Sequence, residues 1–409
     1  AVTPTIQTHP NAAINVLMRL LYWAGRLDAK SSESPQRVTL TDQQLIHRIA
    51  LSMLKGIGPV NARNLVAYCG GVDPLFTDKK VRRSLEKVPG IGPTLANAIL
   101  DTTVLRDAEK ELAYVRKNHL RMLFYLDPEY PSRLKPCDDA PVLLFAKGNA
   151  TLDVHRSVAI VGTRTPTDHG RRMTEELVEG LKESGALIVS GLAYGVDIVA
   201  HRSALKAGLN TIGCVAHGMD KLYPGEHAAT AKEMLAHGAL VTELPSASNF
   251  VPGNFPARNR VIAGLSDCTV VIESGVKGGS LITADIANSY DREVMAFPGR
   301  PTDAKGIGCN RLIKDNKAHL ITGAEDLLKL MEWLPDPKKK KAPVQNALFL
   351  DLMPEEQALV DVLKEKGKLG IDDLCLLSKL PQHKAAGILL NLEFNGVLRS
   401  LPGKVYQLN

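Results

Sequence analysis

The sequence predicts an α/β chain built on a central doubly wound parallel sheet, with a helical region before it and a small separate module after it. Three observations carry this reading. Short, wholly apolar runs alternate with amphipathic stretches from 157 to 330; residues 40 to about 115 show helical periodicity only; and proline and lysine crowd together near residue 335. Runs that apolar suit parallel strands covered by helices on both faces. At 409 residues the chain exceeds what one core usually organises, so two or three domains are expected.

Taken in order, residues 1–36 read as an N-terminal extension with one amphipathic helix, from Ile14 to Ala24. That stretch is interrupted by Arg19 and falls far short of the roughly 20 apolar residues a membrane span needs. No basic segment precedes it, so no signal peptide is read there. The polar run Lys30-Ser31-Ser32-Glu33-Ser34-Pro35 then breaks periodicity and separates the extension from a helical domain at 37–118.

Inside that domain Gly56-Ile57-Gly58-Pro59, with Ala62, recurs thirty-four residues later as Gly90-Ile91-Gly92-Pro93, with Ala96. Two related units are implied. The pair resembles the helix-hairpin-helix motif, in which glycines permit a tight turn and proline suits the first helical position. Either the exposed amides of each second helix meet a DNA phosphate, or the glycines only let the helices cross closely.

Residues 119–334 carry the sheet. Its expected strands lie at 158–161, 187–189, 211–215, 269–272 and 294–297. After the first comes Gly162-Thr163-Arg164 and a helix from about Asp168, the position where such sheets hold a phosphate. After the fourth, Lys277-Gly278-Gly279-Ser280-Leu281-Ile282-Thr283 opens another helix and offers a second cradle at the same edge, with Lys277, Ser280 and Thr283 as donors. Phe255-Pro256-Ala257-Arg258-Asn259-Arg260 is expected just ahead of the helix feeding the fourth strand. Arginine suits bidentate phosphate contacts, and Tyr223, Phe250 and Phe255 are candidates for stacking on unpaired bases. Asp197 and His201, four apart on one helix face, have the spacing of an acid/base pair; the favoured reading is an aspartate at a helix N-terminus and a hydrogen-bonded histidine.

Composition bounds the function. Basic residues exceed acidic ones by 50 to 44, which suits a phosphate-rich partner without requiring one. The six cysteines are scattered, with no metal-ligand spacing, and fit a reducing cytoplasm. No P-loop, dinucleotide fingerprint, zinc-protease motif or nucleophile elbow is present, so no catalytic residue, metal or cofactor is assigned. The break Pro335-Asp336-Pro337, with lysines at 338–341, makes 335–351 a basic linker and 352–409 a separate module.

Val161-Gly162-Thr163-Arg164, the run from Ser190-Gly191 to His201, Gly218-Met219-Asp220 with Tyr223-Pro224, the Phe255 to Arg260 run, the Lys277 to Thr283 run and Phe297-Pro298-Gly299 together resemble the successive signatures of the DNA-processing protein A (DprA/Smf) family, over about 120 to 330. The resemblance implies a Rossmann-like domain that binds single-stranded DNA, protects it, and helps load the recombinase RecA in natural transformation and homologous recombination. It further implies a homodimer formed through that domain, a sterile-alpha-motif-like N-terminal region and a C-terminal winged helix. The last would have helices at 354–366, 371–378 and 382–394 and a hairpin of 397–399 with 405–407; a winged helix invites a duplex reading with the third helix in the major groove, but Gln382-His383-Lys384 is followed by little basic surface, which favours a protein-contact or regulatory role. The phosphate-binding set expected is Gly162, Thr163, Arg164, Arg258, Asn259, Arg260, Lys277, Gly278, Gly279, Ser280 and Thr283. The rival is a nucleotide-processing enzyme of the phosphoribohydrolase-like class, whose P-G-G-x-G-T-x-x-E motif lacks its glutamate here; a scaffold binding only a mononucleotide is a third reading.

Overall fold

The computed structural model describes residues 40–101, 103–334, 352–401 and 403–408. The expected helix at 14–24 and the linker at 335–351 lie outside the described residues. The described residues begin with helices α1 (Asp42–Met53), α2 (Pro59–Cys69), the short α3 (Val72–Thr77) and α4 (Lys79–Arg83), then α5 (Pro93–Leu100) and α6 (Thr103–Lys117). Thr41 starts α1 with a capping box closed by Gln44, and proline stands at the first position of both α2 and α5. Gly56 and Gly90 have φ of +75° and +83°. A side chain on Gly56 would run into Leu95, and one on Gly90 into Asn61. Both partners lie five residues beyond their own unit's first glycine, so the two hairpins pack reciprocally across a pseudo-twofold. Close helix crossing is therefore one use these glycines have.

A nine-stranded sheet follows, in the order β1-β2-β6-β5-β4-β3-β7-β8-β9. Its strands are β1 (Arg121–Phe124), β2 (Leu143–Gly148), β3 (Ser157–Val161), β4 (Leu187–Ser190), β5 (Thr211–Cys214), β6 (Gly238–Thr242), β7 (Cys268–Val271), β8 (Glu293–Ala296) and β9 (His319–Leu320). From β6 to β9 all pairings are parallel; β2 pairs antiparallel with β6, and β1 with β2. The five expected strands are all present. Four were not expected: β1, β2, β6 and β9.

Side chains alternate between the two faces of the sheet, as the pleat requires. Ala159 and Val161 of β3 join one core with Val261 and Ile262 of α10 (Asn254–Gly264) and Ala284 and Ala287 of α11 (Gly279–Ser289). Val158 and Ile160 join the opposite core with Leu177 of α7 (Asp168–Gly180) and Val196 and Ala200 of α8 (Val196–Ala207). The remaining helices of this region are α9 (Ala228–His237), α12 (Ile307–Lys314) and α13 (Ala324–Leu330). On β2, Leu144 and Ala146 face the first of these cores while Leu143 and Phe145 pack on the N-terminal helices. The helical region is thus fastened to the sheet through its antiparallel end.

The C-terminal part has its own core around Leu359, Leu363, Leu374, Leu389 and Leu392. Its helices are α14 (Pro354–Lys366), α15 (Ile371–Ser378) and α16 (Gln382–Phe394), with the bounds the sequence suggests. The expected hairpin forms between β11 (Leu398–Leu401) and β12 (Val405–Leu408), and an unexpected β10 (Lys368–Gly370) completes a three-stranded sheet. This is a winged helix. Among the described residues, no helix is long and apolar enough to cross a membrane.

Candidate nucleic-acid interface

Strand order reverses at β3, whose neighbours are β4 and β7, and a doubly wound sheet opens a crevice at the carboxyl ends of such strands. The turns after β3, β4, β5 and β7 meet there. Thr163 N donates to Glu273 O at 2.8 Å, joining the turn after β3 to the turn after β7. The Glu273 carboxylate accepts from Thr167 N at 2.8 Å and also from the Thr167 hydroxyl, so it holds the far end of the Gly162-Thr163-Arg164 turn where α7 begins. Lys305 donates to Thr165 O while its own carbonyl accepts from Ser274 N at 2.7 Å. From the other side Gly195, at φ +83°, lies so close to Thr163 and Arg164 that any side chain would strike their backbone.

Arg164 stands exposed on this turn, its guanidinium 5.4 Å from the centre of the Phe255 ring. Phe255 belongs to an aromatic group: Tyr223 and Phe250 are 4.9 Å apart, Phe250 and Phe255 5.4 Å, and Tyr194 and Tyr223 6.4 Å, all edge to face. Tyr194, Tyr223 and Phe250 are exposed. Arg164, Tyr194, His217, Tyr223, Phe255 and Arg258 line one shallow crevice. Lys277 is exposed on the neighbouring turn, with Gly279 open to solvent.

Other expected donors face inward. Phe255 to Arg260 lie within α10, not ahead of it, because Pro256 falls in the helix's first turn, where proline is tolerated. Arg258 is 7% exposed, and its Nη1 donates to Gly191 O at 2.6 Å and to Cys214 O, so the expectation of a phosphate-facing guanidinium is corrected to one bracing the crevice floor. Its Nε is buried without a partner. Arg260 pairs with Glu243 and donates to Asp139 O. Asn259 donates to Gly279 O at 3.4 Å, Ser280 to Ser274 Oγ at 2.9 Å, and Thr283 is buried. These brace the Lys277 turn from behind. Gly278 must stay bare, since a side chain there would strike Ser274.

The Asp197 and His201 pair is structural. Asp197 Oδ2 accepts from Gly191 N at 3.0 Å and Ala193 N at 3.4 Å. Burial raises its carboxyl above the usual range, opposed by the Arg258 charge and those amides. The Thr211 hydroxyl donates to Ile188 O, which leaves its oxygen to accept from His201 Nδ1 at 2.7 Å, while His201 Nε2 accepts from Leu192 N. Both ring nitrogens are committed and the ring is neutral; burial pushes its pKa down to about 3. Neither group is free for proton transfer.

Sequence reasoning missed Tyr194, Glu273 and Lys305. Tyr194 lies inside a motif already singled out, and Glu273 is a charged residue directly after a wholly apolar strand, which could have flagged it. Lys305 carries no signal.

Residues 121–332 match the family described as DNA recombination-mediator protein A, and residues 343–404 match the DprA winged helix domain. Protein Smf of Synechocystis sp. (strain ATCC 27184 / PCC 6803 / Kazusa) is 34% identical over 402 residues, spanning 90% of this chain and 100% of that protein. DNA processing protein DprA of Bacillus subtilis (strain 168) is 39% identical over 226 residues, 55% of this chain and 75% of that one. The X-ray structure of DNA processing protein A from Streptococcus pneumoniae superposes with a TM-score of 0.59 at 30% identity, covering 69% of this chain and 97% of that chain.

Proposed function

The chain belongs to the DNA recombination-mediator protein A (DprA/Smf) family, and from that premise we propose that its crevice holds single-stranded DNA, with phosphates on the Gly162-Thr163-Arg164 and Lys277-Gly278-Gly279 turns and bases on Tyr194, Tyr223, Phe250 and Phe255. The observation that carries the reading is Arg164 poised over Phe255 within an exposed aromatic group. A cation beside a group of exposed rings at a sheet edge suits a backbone whose bases are unpaired, since every base has a π-face. A duplex keeps its bases stacked on one another and has no use for the rings.

In this reading the protein acts in the cytoplasm as a binding protein with no catalytic step, shields incoming single strands and passes them to RecA during natural transformation and homologous recombination. It works as a homodimer through the sheet domain. The commitment of Asp197 and His201 to buried hydrogen bonds supports a site without acid/base chemistry.

Fluorescence anisotropy of a labelled single strand and the matching duplex across a salt series tests this. The single strand should bind more tightly, and log K should fall against log salt by about 0.7 per phosphate held. Equal, weak binding of both strands would sink the proposal.

A further inference from the structure

We propose that Glu111, on the last N-terminal helix, is a positioning residue that holds the aromatic loop 244–253 in its base-receiving form, which makes the helical region part of the interface. The inference rests on the reading of the crevice as a single-stranded DNA site.

Glu111 is 5% exposed. Its Oε2 accepts from both Ser246 N at 2.9 Å and Ser246 Oγ at 2.5 Å, a bridge spanning 135 residues of sequence. Ser246 is the root of a segment with no regular structure, and Phe250 stands four residues further on. Between them Ser248 closes a turn onto Pro245 O, Lys221 Nζ donates to Ser248 O at 3.2 Å, and Asn254 donates to Asn249 O at 3.2 Å. The loop bearing Tyr223 leans on the same point, because Gly218 lies against the carbonyls of Pro245 and Ser246 too closely for any side chain. One carboxylate therefore anchors the base of two loops whose tips carry Tyr223 and Phe250.

The choice of residue is informative. An acid buried beside the acidic Asp220 is an unfavourable filler between a helix and a loop, and an apolar side chain would pack there without desolvating a charge. What the acid supplies is one oxygen that accepts from both the backbone amide and the hydroxyl of the partly buried Ser246, tying this point of the loop to the helix. Without it the loop samples other conformations, and affinity falls in proportion to the fraction remaining competent.

The sign of the effect separates this role from simple electrostatics. Glu111→Ala removes a negative charge from a protein that binds a polyanion, so Coulomb forces alone would tighten binding, whereas removal of an anchor weakens it. Anisotropy titrations of the full-length chain with a labelled single strand, over several salt concentrations and with thermal unfolding of each variant, read both. Expected are a loss of about 3- to 10-fold for Glu111→Ala, an unchanged salt slope because Arg164 and Lys277 are untouched, and recovery to within about twofold in Glu111→Gln, whose amide oxygen accepts from both donors. Glu111→Ala should cost less in a Phe250→Ala background than in the wild type, the remainder being what acts through Tyr223. If Glu111→Ala does not fold, Ser246→Ala, which deletes one of the two bonds, should show a smaller loss with the same non-additivity. Unchanged or tighter binding by Glu111→Ala, full additivity with Phe250→Ala, or equal losses in the Gln and Ala variants would overturn the anchor while leaving the DNA site standing. A wild-type chain without preference for the single strand would remove the DNA reading and the anchor with it.

Discussion

Arg164 lies exposed over the Phe255 ring, while Arg258 sits beneath the crevice donating to Gly191 and Cys214 carbonyls. In the sequence both are arginines close to glycine; what holds Arg258 inward is the pair of backbone carbonyls beneath the crevice, with the buried Asp197 carboxylate near its charge. The two should fail differently. Replacing Arg164 and Lys277 together by Ala should lower single-strand affinity by about 10- to 100-fold and flatten the salt slope by about 0.7 for each phosphate no longer held, with unfolding unchanged. Arg258→Ala leaves Asp197 without its buried counter-charge and should cost about 3–5 kcal/mol in denaturant unfolding. His201 adds a pH dependence. Its folded pKa of about 3 lies below the ordinary 6.5, so as pH falls through that ordinary value the unfolded chain takes up a proton that the folded chain refuses. Stability from this ring is complete above about pH 6.5 and declines by about 1.4 kcal/mol per pH unit below it, down to about pH 3. His201→Gln should lack that component of slope between about pH 6 and pH 4.5 in urea titrations.

At the scale of elements, the five strands legible from sequence are those buried on both faces and bounded by turn residues. Three of the four missed ones lack one of these marks. Strand β6 begins at Gly238 directly after α9 ends at His237, with no turn between them; β1 opens with the exposed Arg121; β9 is two residues long. The segment around Phe255 lies within α10 and not ahead of it, since a helix accepts a proline such as Pro256 in its first turn. The glycine-rich turns were legible because their function is steric. Gly195 is the sharpest case, since its φ of +83° and its closeness to Thr163 and Arg164 both exclude a side chain. Gly195→Ala should destabilise the sheet domain by about 1–3 kcal/mol and, by displacing the Arg164 turn, weaken single-strand binding beyond what the loss of stability explains. Matching chemical denaturation against anisotropy on the same preparation checks both halves; an unshifted affinity would show that the turn after β4 does not set the Arg164 turn.

At the scale of the whole molecule, the three-part order along the chain was legible, and the joints were not. Strand β2 is apolar from Leu143 to Ala146 because it is buried there on both sides, and periodicity cannot say that Leu143 and Phe145 serve the helical region while Leu144 and Ala146 serve the sheet. The winged helix poses the opposite problem, since its three helices were readable to their ends while its role turns on what the third of them leaves uncovered. On α16, Leu390 is 56% and Phe394 81% exposed, Ala386 and Gly387 lie exposed one turn earlier, and nearby Lys384 pairs with Glu355 at 2.6 Å. A helix that reads a major groove presents donors to base edges and cations to phosphates; this one presents an apolar stripe. Substituting Leu390 and Phe394 together by Glu in the full-length chain should therefore leave both single-strand and duplex affinity within about twofold, because the added charges lie away from the nucleic acid. If α16 entered a groove, two new anions against the phosphates would lower duplex affinity by about 10-fold or more and change its salt slope. Anisotropy with both oligonucleotides distinguishes these outcomes, and an unchanged duplex affinity would show that this face of α16 does not enter a groove.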